Sequence, residues 1–153
     1  MALSKRQLKG IEKKTKDFYR QMGFKVQVKP ARQEKETVYI NIKSDEPRTL
    51  IGKRGEALRA AQRLLRVMLL SDAEERFYLQ IDINGYKEKK AQYLCEIANE
   101  IADEVALSQK AEALVPMCAY ERRIIHVELA ERADVTTESE GEEPRRRVIV
   151  HPT

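Results

Sequence analysis

Leu8, Ile11, Phe18, Tyr19 and Met22, with Thr15 between them, recur at three- and four-residue spacing. This predicts an amphipathic helix that stops at Gly23. The period then drops to two. Phe24, Val26 and Val28 alternate with Lys25, Gln27 and Lys29, a half-buried strand closed by Pro30. After a polar link, Val38, Ile40 and Ile42 alternate with Tyr39 and Asn41 as a second strand. Arg48–Ile51 reads as a helical turn running into Gly52. From Glu56, the positions Leu58, Ala61, Leu64, Leu65, Met68 and Leu69 predict a strong helix. Tyr78–Ile83 is a third strand, ended by the turn pair Asn84-Gly85.

A second set of elements follows. Leu94, Ile97, Ala98, Ile101 and Val105 mark a long helix with a Glu- and Lys-rich outer face. Leu114–Val115 before Pro116 predicts a short strand. Tyr120 to about Ala130 reads as a helix with Ile124, Ile125, Val127 and Leu129 as its apolar positions. Val135–Thr137 and Val148–Val150 flank Glu-Gly-Glu-Glu-Pro and predict a hairpin. No repeat or low-complexity linker divides the halves. The expected fold class is α+β, in two small contiguous domains that touch.

Composition narrows the function. No run of eighteen apolar residues occurs, so no membrane insertion is expected, and the basic N-terminus lacks the apolar segment of a secretory signal. Cys95 and Cys118 form no Cys-x-x-Cys, which suits a reducing, cytoplasmic location. The formal net charge of +4 conceals an asymmetry. Residues 1–35 hold 11 Lys and Arg against 3 Asp and Glu, whereas residues 72–112 hold 5 against 10. Clustered positive charge favours a polyanionic partner, although a solvated helix face would look the same. The stretch Lys5, Arg6, Lys9, Lys13, Lys14 and Lys16 is open to both readings, a polyanion-binding arm or a soluble helix extension. There is no phosphate-binding nucleotide loop, no zinc ligand set and no recognisable triad for His126 or His151. Neither cofactor, metal nor enzymatic activity is expected.

The segment Ile51-Gly52-Lys53-Arg54-Gly55 carries the first candidate chemistry. Glycine at both ends lets two helices meet sharply and lets backbone approach a phosphate closely. The helix that starts at Glu56 aims its amides and the positive end of its dipole at the loop. Lys53 and Arg54 cannot both pack inward. Such a glycine pair also arises as a plain helix break. Its basic filling, and Arg59, Arg63 and Arg66 on one face of the next helix, favour phosphate contact. In the order of its elements and in this loop, the region of residues 16–84 resembles a type II KH domain. The resemblance implies four nucleotides of single-stranded RNA gripped at Ile51–Gly55 and Arg59, with bases over an apolar groove.

Arg122 and His126 stand four apart on a predicted helix and so project from one face. Arg is a permanent planar fork for phosphate, and His can hydrogen-bond or stack. A surface Arg beside a capping His is the alternative. Pro116-Met117, Tyr120–His126, Thr136–Pro144 and Arg145-Arg146-Arg147-Val148 together resemble the R-three-H domain, associated with single-stranded nucleic acids. Arg145 and Arg147 are expected on one strand face, with Arg146 opposed. Arg122, His126 and Arg147 are the candidate contacts. A nuclease built on Arg122 and His126 would lack a carboxylate pair for a metal. A KH domain followed directly by this domain is similar to the Jag (SpoIIIJ-associated) family of bacterial RNA-binding proteins.

That resemblance divides the chain into a basic extension (1–15), a KH domain (16–84) and an R-three-H domain (85–153). It implies a single-stranded RNA partner, with single-stranded DNA open, and post-transcriptional regulation linked to cell-envelope growth and division. The alternative is a scaffold that pairs with a second small KH protein or with its own copy, RNA contact being secondary. Jag proteins typically carry a further small N-terminal domain and linker, where this chain has about fifteen basic residues; a short member and an incomplete chain both fit. Arg145 stands where many relatives would carry an aromatic residue.

Overall fold

In the computed structural model of the chain, which describes residues 2–71, 73 and 76–153, the first amphipathic run folds as helix α1 (Lys5–Gln21). The Ser4 hydroxyl accepts from the Gln7 N–H, and the Gln7 side chain reaches back to the Ser4 N–H, a reciprocal cap contributing about 1 kcal/mol. Gly23, at φ +88°, ends the helix: its N–H donates to the Arg20 carbonyl and the Phe24 N–H to that of Tyr19. The basic stretch from Lys5 to Lys16 is therefore helical, and Ile11 and Thr15 within it are buried.

The strands β1 (Val26–Val28) and β2 (Arg32–Glu34) both lie antiparallel along one side of β3 (Thr37–Ser44). Strand β2 falls in the segment read from sequence as a polar link. Its three residues are Arg, Gln and Glu, so no apolar alternation announces it, and it is held by the tight turn at Lys35–Glu36. On the other side of β3 runs β4 (Tyr78–Ile83), in parallel. Val38, Ile40 and Ile42 stand opposite Leu79, Ile81 and Ile83, and all six are buried. At roughly 1.5–3 kcal/mol per buried aliphatic side chain, these rows form a large part of the unit's core. The chain crosses from β3 to β4 through α2 (Pro47–Ile51), a 3-10 turn (Lys53–Gly55) and α3 (Glu56–Ser71), whose Leu58, Leu65 and Leu69 face the core.

The contacts divide the chain into two compact units, Met1–Lys87 and Glu88–Thr153. Helix α4 (Tyr86–Ser108) starts at the end of the first and supplies Leu94, Ala98, Ala102 and Val105 to the second. There, β5 (Glu112–Ala113), β7 (Arg147–Pro152) and β6 (Val135–Glu140) form an antiparallel sheet in that order. Strand β5 lies just before the expected Leu114–Val115; the Leu114 N–H still donates to the Val148 carbonyl, but Pro116 follows too closely for the strand to extend. Helix α5 (Ala119–Leu129) buries Ile125 and Leu129 and leaves Val127 exposed, because Glu121 and Arg122 take inward positions instead. Arg132 forks onto Asp134 and reaches Asp103 on α4 at 2.7 Å, tying the turn after α5 to that helix. Both units are α+β. Among the described residues, no helix is long and apolar enough to cross a membrane.

No hydrogen-bond partner meets the buried Tyr19 hydroxyl among the described residues, and burial pushes its pKa up to about 12. Tyr19→Phe removes that group and keeps the ring that meets Phe18 edge to face. The variant should match the parent or exceed it by ~1 kcal/mol in urea unfolding. A clear loss of stability would mean that the hydroxyl is satisfied in solution.

Candidate nucleic-acid interface

Helices α2 and α3 meet across Gly52–Gly55. Gly52 adopts φ +73°, ψ −179°, and a Cβ there would stand 2.7 Å from that of Ala57. Only glycine fits. Arg54 is left-handed at φ 55°, ψ 26°, which costs a non-glycine residue roughly 1–2 kcal/mol. The offsetting contact is Arg59, whose Nη1 donates to the Arg54 carbonyl at 2.8 Å, a bond strengthened by its charge. Gly55 is buried; a Cβ on it would come within 3.2 Å of both the Arg59 guanidinium and the Tyr86 ring. With this backbone, Lys53 and Arg54 are exposed, while Ile51 is half-buried and packs on the core. Arg59, expected as a phosphate contact, thus has one guanidinium nitrogen committed to shaping the loop.

A polar seam runs from the loop along α3 and the outer edge of β4. Gln62 Oε1 accepts from the Ile81 N–H at 3.0 Å and from Lys87 Nζ at 3.3 Å, and Lys87 Nζ also donates to Gln80 Oε1 at 2.7 Å. Asp82 Oδ1 accepts from the Ile83 and Lys87 N–H groups. Burial lowers the Lys87 pKa, with Asp82 acting in the opposite sense. Farther on, the Arg66 guanidinium lies 5.2 Å from the centroid of the Tyr78 ring. Arg59, Gln62 and Arg66 therefore line one side of the seam, and Arg63 is exposed beside it. Gln62, Tyr86 and Lys87 were not legible as site residues. The Asn84-Gly85 turn marks where the chain bends, but only the strand pairing shows what the bend brings to the loop.

In the second unit, Arg122 and His126 do not stand open on a helix face. Arg122 is buried, 8% exposed, and its Nη1 donates to the Met117 carbonyl at 2.7 Å and to Glu143 Oε1 at 2.8 Å. Glu143 itself is well exposed, in the loop between β6 and β7. His126 is half-buried. Its Nδ1 lies 2.7 Å from Thr137 Oγ1 and its Nε2 2.8 Å from Ser139 Oγ, two hydroxyls on one face of β6. Desolvation, with the Arg122 charge beside it, lowers the His126 pKa. Arg147, the first residue of β7, is exposed, as are Arg123 and Arg145, while Arg146 is half-buried. Arg145 precedes the strand, so the alternating faces expected for Arg145–Arg147 do not apply to it.

The family model of the R-three-H domain matches residues 92–152, the span that contains α5, its hydroxyl partners and the arginine run. The chain carries an R-three-H domain. It is 37% identical over 111 residues to the RNA-binding protein KhpB of Clostridium symbiosum, covering 72% of this chain and 50% of that one. With KhpB of Lactiplantibacillus plantarum identity is 36% over 111 residues (72% and 34%), and with KhpB of Bacillus subtilis it is 32% over 118 residues (76% and 57%). The chain belongs to the Jag family, to which these KhpB proteins belong. It spans about half the length of the first of these relatives, and less than two thirds of each.

The environment of His126 has a pH consequence. The folded-state pKa lies below 6.5, so the unfolded chain takes up the proton first as pH falls. The contribution of neutral His126 is complete above pH 6.5 and is lost as pH drops from there through the folded value. Thermal unfolding compared between pH 7.5 and pH 5.5 should show an acid loss in the parent that shrinks in His126→Gln. An equal loss in both proteins would place the proton uptake elsewhere.

Proposed function

We propose that the chain binds single-stranded RNA, with the Gly52–Gly55 loop as its principal phosphate contact. The observation that carries this reading is a strained backbone held open by Arg59 with Lys53 and Arg54 turned to solvent. Residues 16–84 act as a type II KH module in this reading. Its support is the order of elements: a helix, antiparallel strands, a helix–glycine loop–helix crossover and a parallel strand. The relatives named RNA-binding protein supply independent support. Residues 85–153 act as the second nucleic-acid module. Here Arg122 and His126 fix the frame, and Arg123, Arg145 and Arg147 are the exposed cations that a phosphate chain would meet.

The chemistry is binding and not catalysis, without cofactor or metal. The setting is cytoplasmic post-transcriptional control connected with cell-envelope growth and division, as the Jag resemblance implies. Lys53→Asp with Arg54→Asp should weaken binding of a fluorescein-labelled single-stranded RNA at least tenfold in anisotropy titrations, with an unchanged circular dichroism spectrum. Wild-type affinity in that variant would remove the loop from the binding site. The same titration with a DNA strand of identical sequence reads the preference for the 2′-hydroxyl.

A second reading has its own support. Leu64, Val67 and Met68 are 52%, 67% and 44% exposed, and they form an apolar stripe at helical spacing along α3. This suits pairing with another KH-type protein or with a second copy. Val67→Lys should convert any dimer seen by light scattering to monomer and leave the RNA titration unchanged. A wild-type protein that is monomeric, and pulls no partner from nuclease-treated lysate, would discard the pairing.

A further inference from the structure

The helices α1, α2 and α3 contribute to the buried face of the four-stranded sheet, and the opposite face carries a different chemistry. Along β3 it presents Thr37, Tyr39, Asn41 and Lys43, of which Asn41 and Lys43 are exposed and Tyr39 half-buried. Tyr39 pairs in register with Arg32 on β2 and with Gln80 on β4. The Arg32 guanidinium stands 5.5 Å from the centre of the Tyr39 ring. Toward the C-terminal ends of β3 and β4 lies a cavity of about 340 Å³, lined by Lys29, Asn41, Lys43, Asp82, Asn84 and Gly85 among others.

Among the described residues, the strands of this sheet carry two carboxylates, and both are engaged. Asp82 Oδ1 accepts two backbone N–H groups, and Glu34 lies 3.8 Å from Arg32. Lys29, Arg32 and Lys43 leave the face cationic. An aromatic ring under a guanidinium, an exposed amide beside it and ammonium groups beyond are the components of a stacking platform with an electrostatic track. An acidic peptide would use the cations and have no need of the ring and amide.

Tyr86 lies against Gly55 in the loop, and Gly85, its neighbour in sequence, lines the cavity. Adjacent residues are about 3.8 Å apart, so the loop and the sheet face are separated by one turn of the chain. Among the described residues, nothing but its chain neighbours lies within 4 Å of where a Cβ on Gly85 would be, so the corner is open.

We infer that the open face of this sheet is a second single-strand site, and that an RNA strand held at the loop continues over the Asn84–Gly85–Tyr86 corner onto Lys43, Lys29 and Tyr39. This rests on the loop binding RNA as proposed above. A ligand of four nucleotides occupies the loop alone, and a longer one occupies both surfaces.

The test uses the full chain with a four-nucleotide and a twelve-nucleotide RNA. Lys29→Gln with Lys43→Gln, and separately Tyr39→Ser, should leave binding of the short RNA unchanged and weaken the long one about five- to tenfold. The lysine variant should also lower the salt slope for the long RNA by about 1.4, at roughly 0.7 per phosphate of single strand. Long-RNA affinity and slope equal to wild type in the lysine variant would overturn the inference. The Lys53→Asp, Arg54→Asp variant run alongside separates the two claims: it should lose both ligands. If it retains both, the loop reading fails, and a continued loss from the sheet variants would then make the sheet the primary site. Circular dichroism melts establish that each variant is folded. Photo-crosslinking of a thiouridine-substituted long RNA should label the peptide containing Tyr39, and absence of that label with robust labelling near Lys53 would also overturn the inference.

Discussion

The parallel pairing of β3 with β4 is the constraint from which the first unit follows. Two parallel neighbours cannot be joined by a hairpin; the chain must return across the sheet before it can pair again. Residues 45–77 make that return, and α2 and α3 are its substance. The buried rows of Val38, Ile40 and Ile42 against Leu79, Ile81 and Ile83 hold the pairing and fix its register, because a slip of one residue would turn all six toward water. The break between α2 and α3 then has to be glycine, since Gly52 meets Ala57 where any side chain would begin. Arg54 accepts a costly conformation there, and Arg59 holds it. The exposed Lys53 and Arg54 are the consequence of this chain of requirements.

The second unit solves a different problem. A guanidinium taken out of water needs full compensation, and Arg122 finds it in the Met117 carbonyl and the Glu143 carboxylate. His126 does the same with neutral partners, the hydroxyls of Thr137 and Ser139. The two residues thus cross-brace α5 to the strand β6 and to the loop before β7. They determine where Arg145 and Arg147 emerge, and they do so from inside. The spaced Arg and His that mark the R-three-H domain are here a framework with cations arranged around it.

Both proposed surfaces would draw on the same physics. Phosphate contact by lysine and arginine supplies affinity that any strand can claim, and discrimination has to come from stacking and amide contacts nearby. The first unit places such groups close to its cations: Tyr86 at the loop, Tyr78 under Arg66, and Tyr39 under Arg32. The positive excess of residues 1–35 would add attraction for a polyanion without shape.

Periodicity determined the long helices, β3, β4 and the α+β class, because burial on one side writes a period of 3.6 or 2 into the chain, and the glycine spacing placed the loop. Periodicity missed β2, whose Arg, Gln and Glu bury too little to leave a pattern, and displaced β5, where Pro116 crowds the strand. The Arg/His spacing identified the second unit, and only the tertiary structure decided that both side chains turn inward, because their partners Glu143, Thr137 and Ser139 come from 11 to 21 residues away. The same holds for Arg59, read as a surface cation and found bracing Arg54. Tyr86 and Gln62 were silent in the sequence, since their meaning arises only when β4 lies beside α3. A local period records which residues are buried; which polar groups meet one another is set by chain segments far apart in sequence.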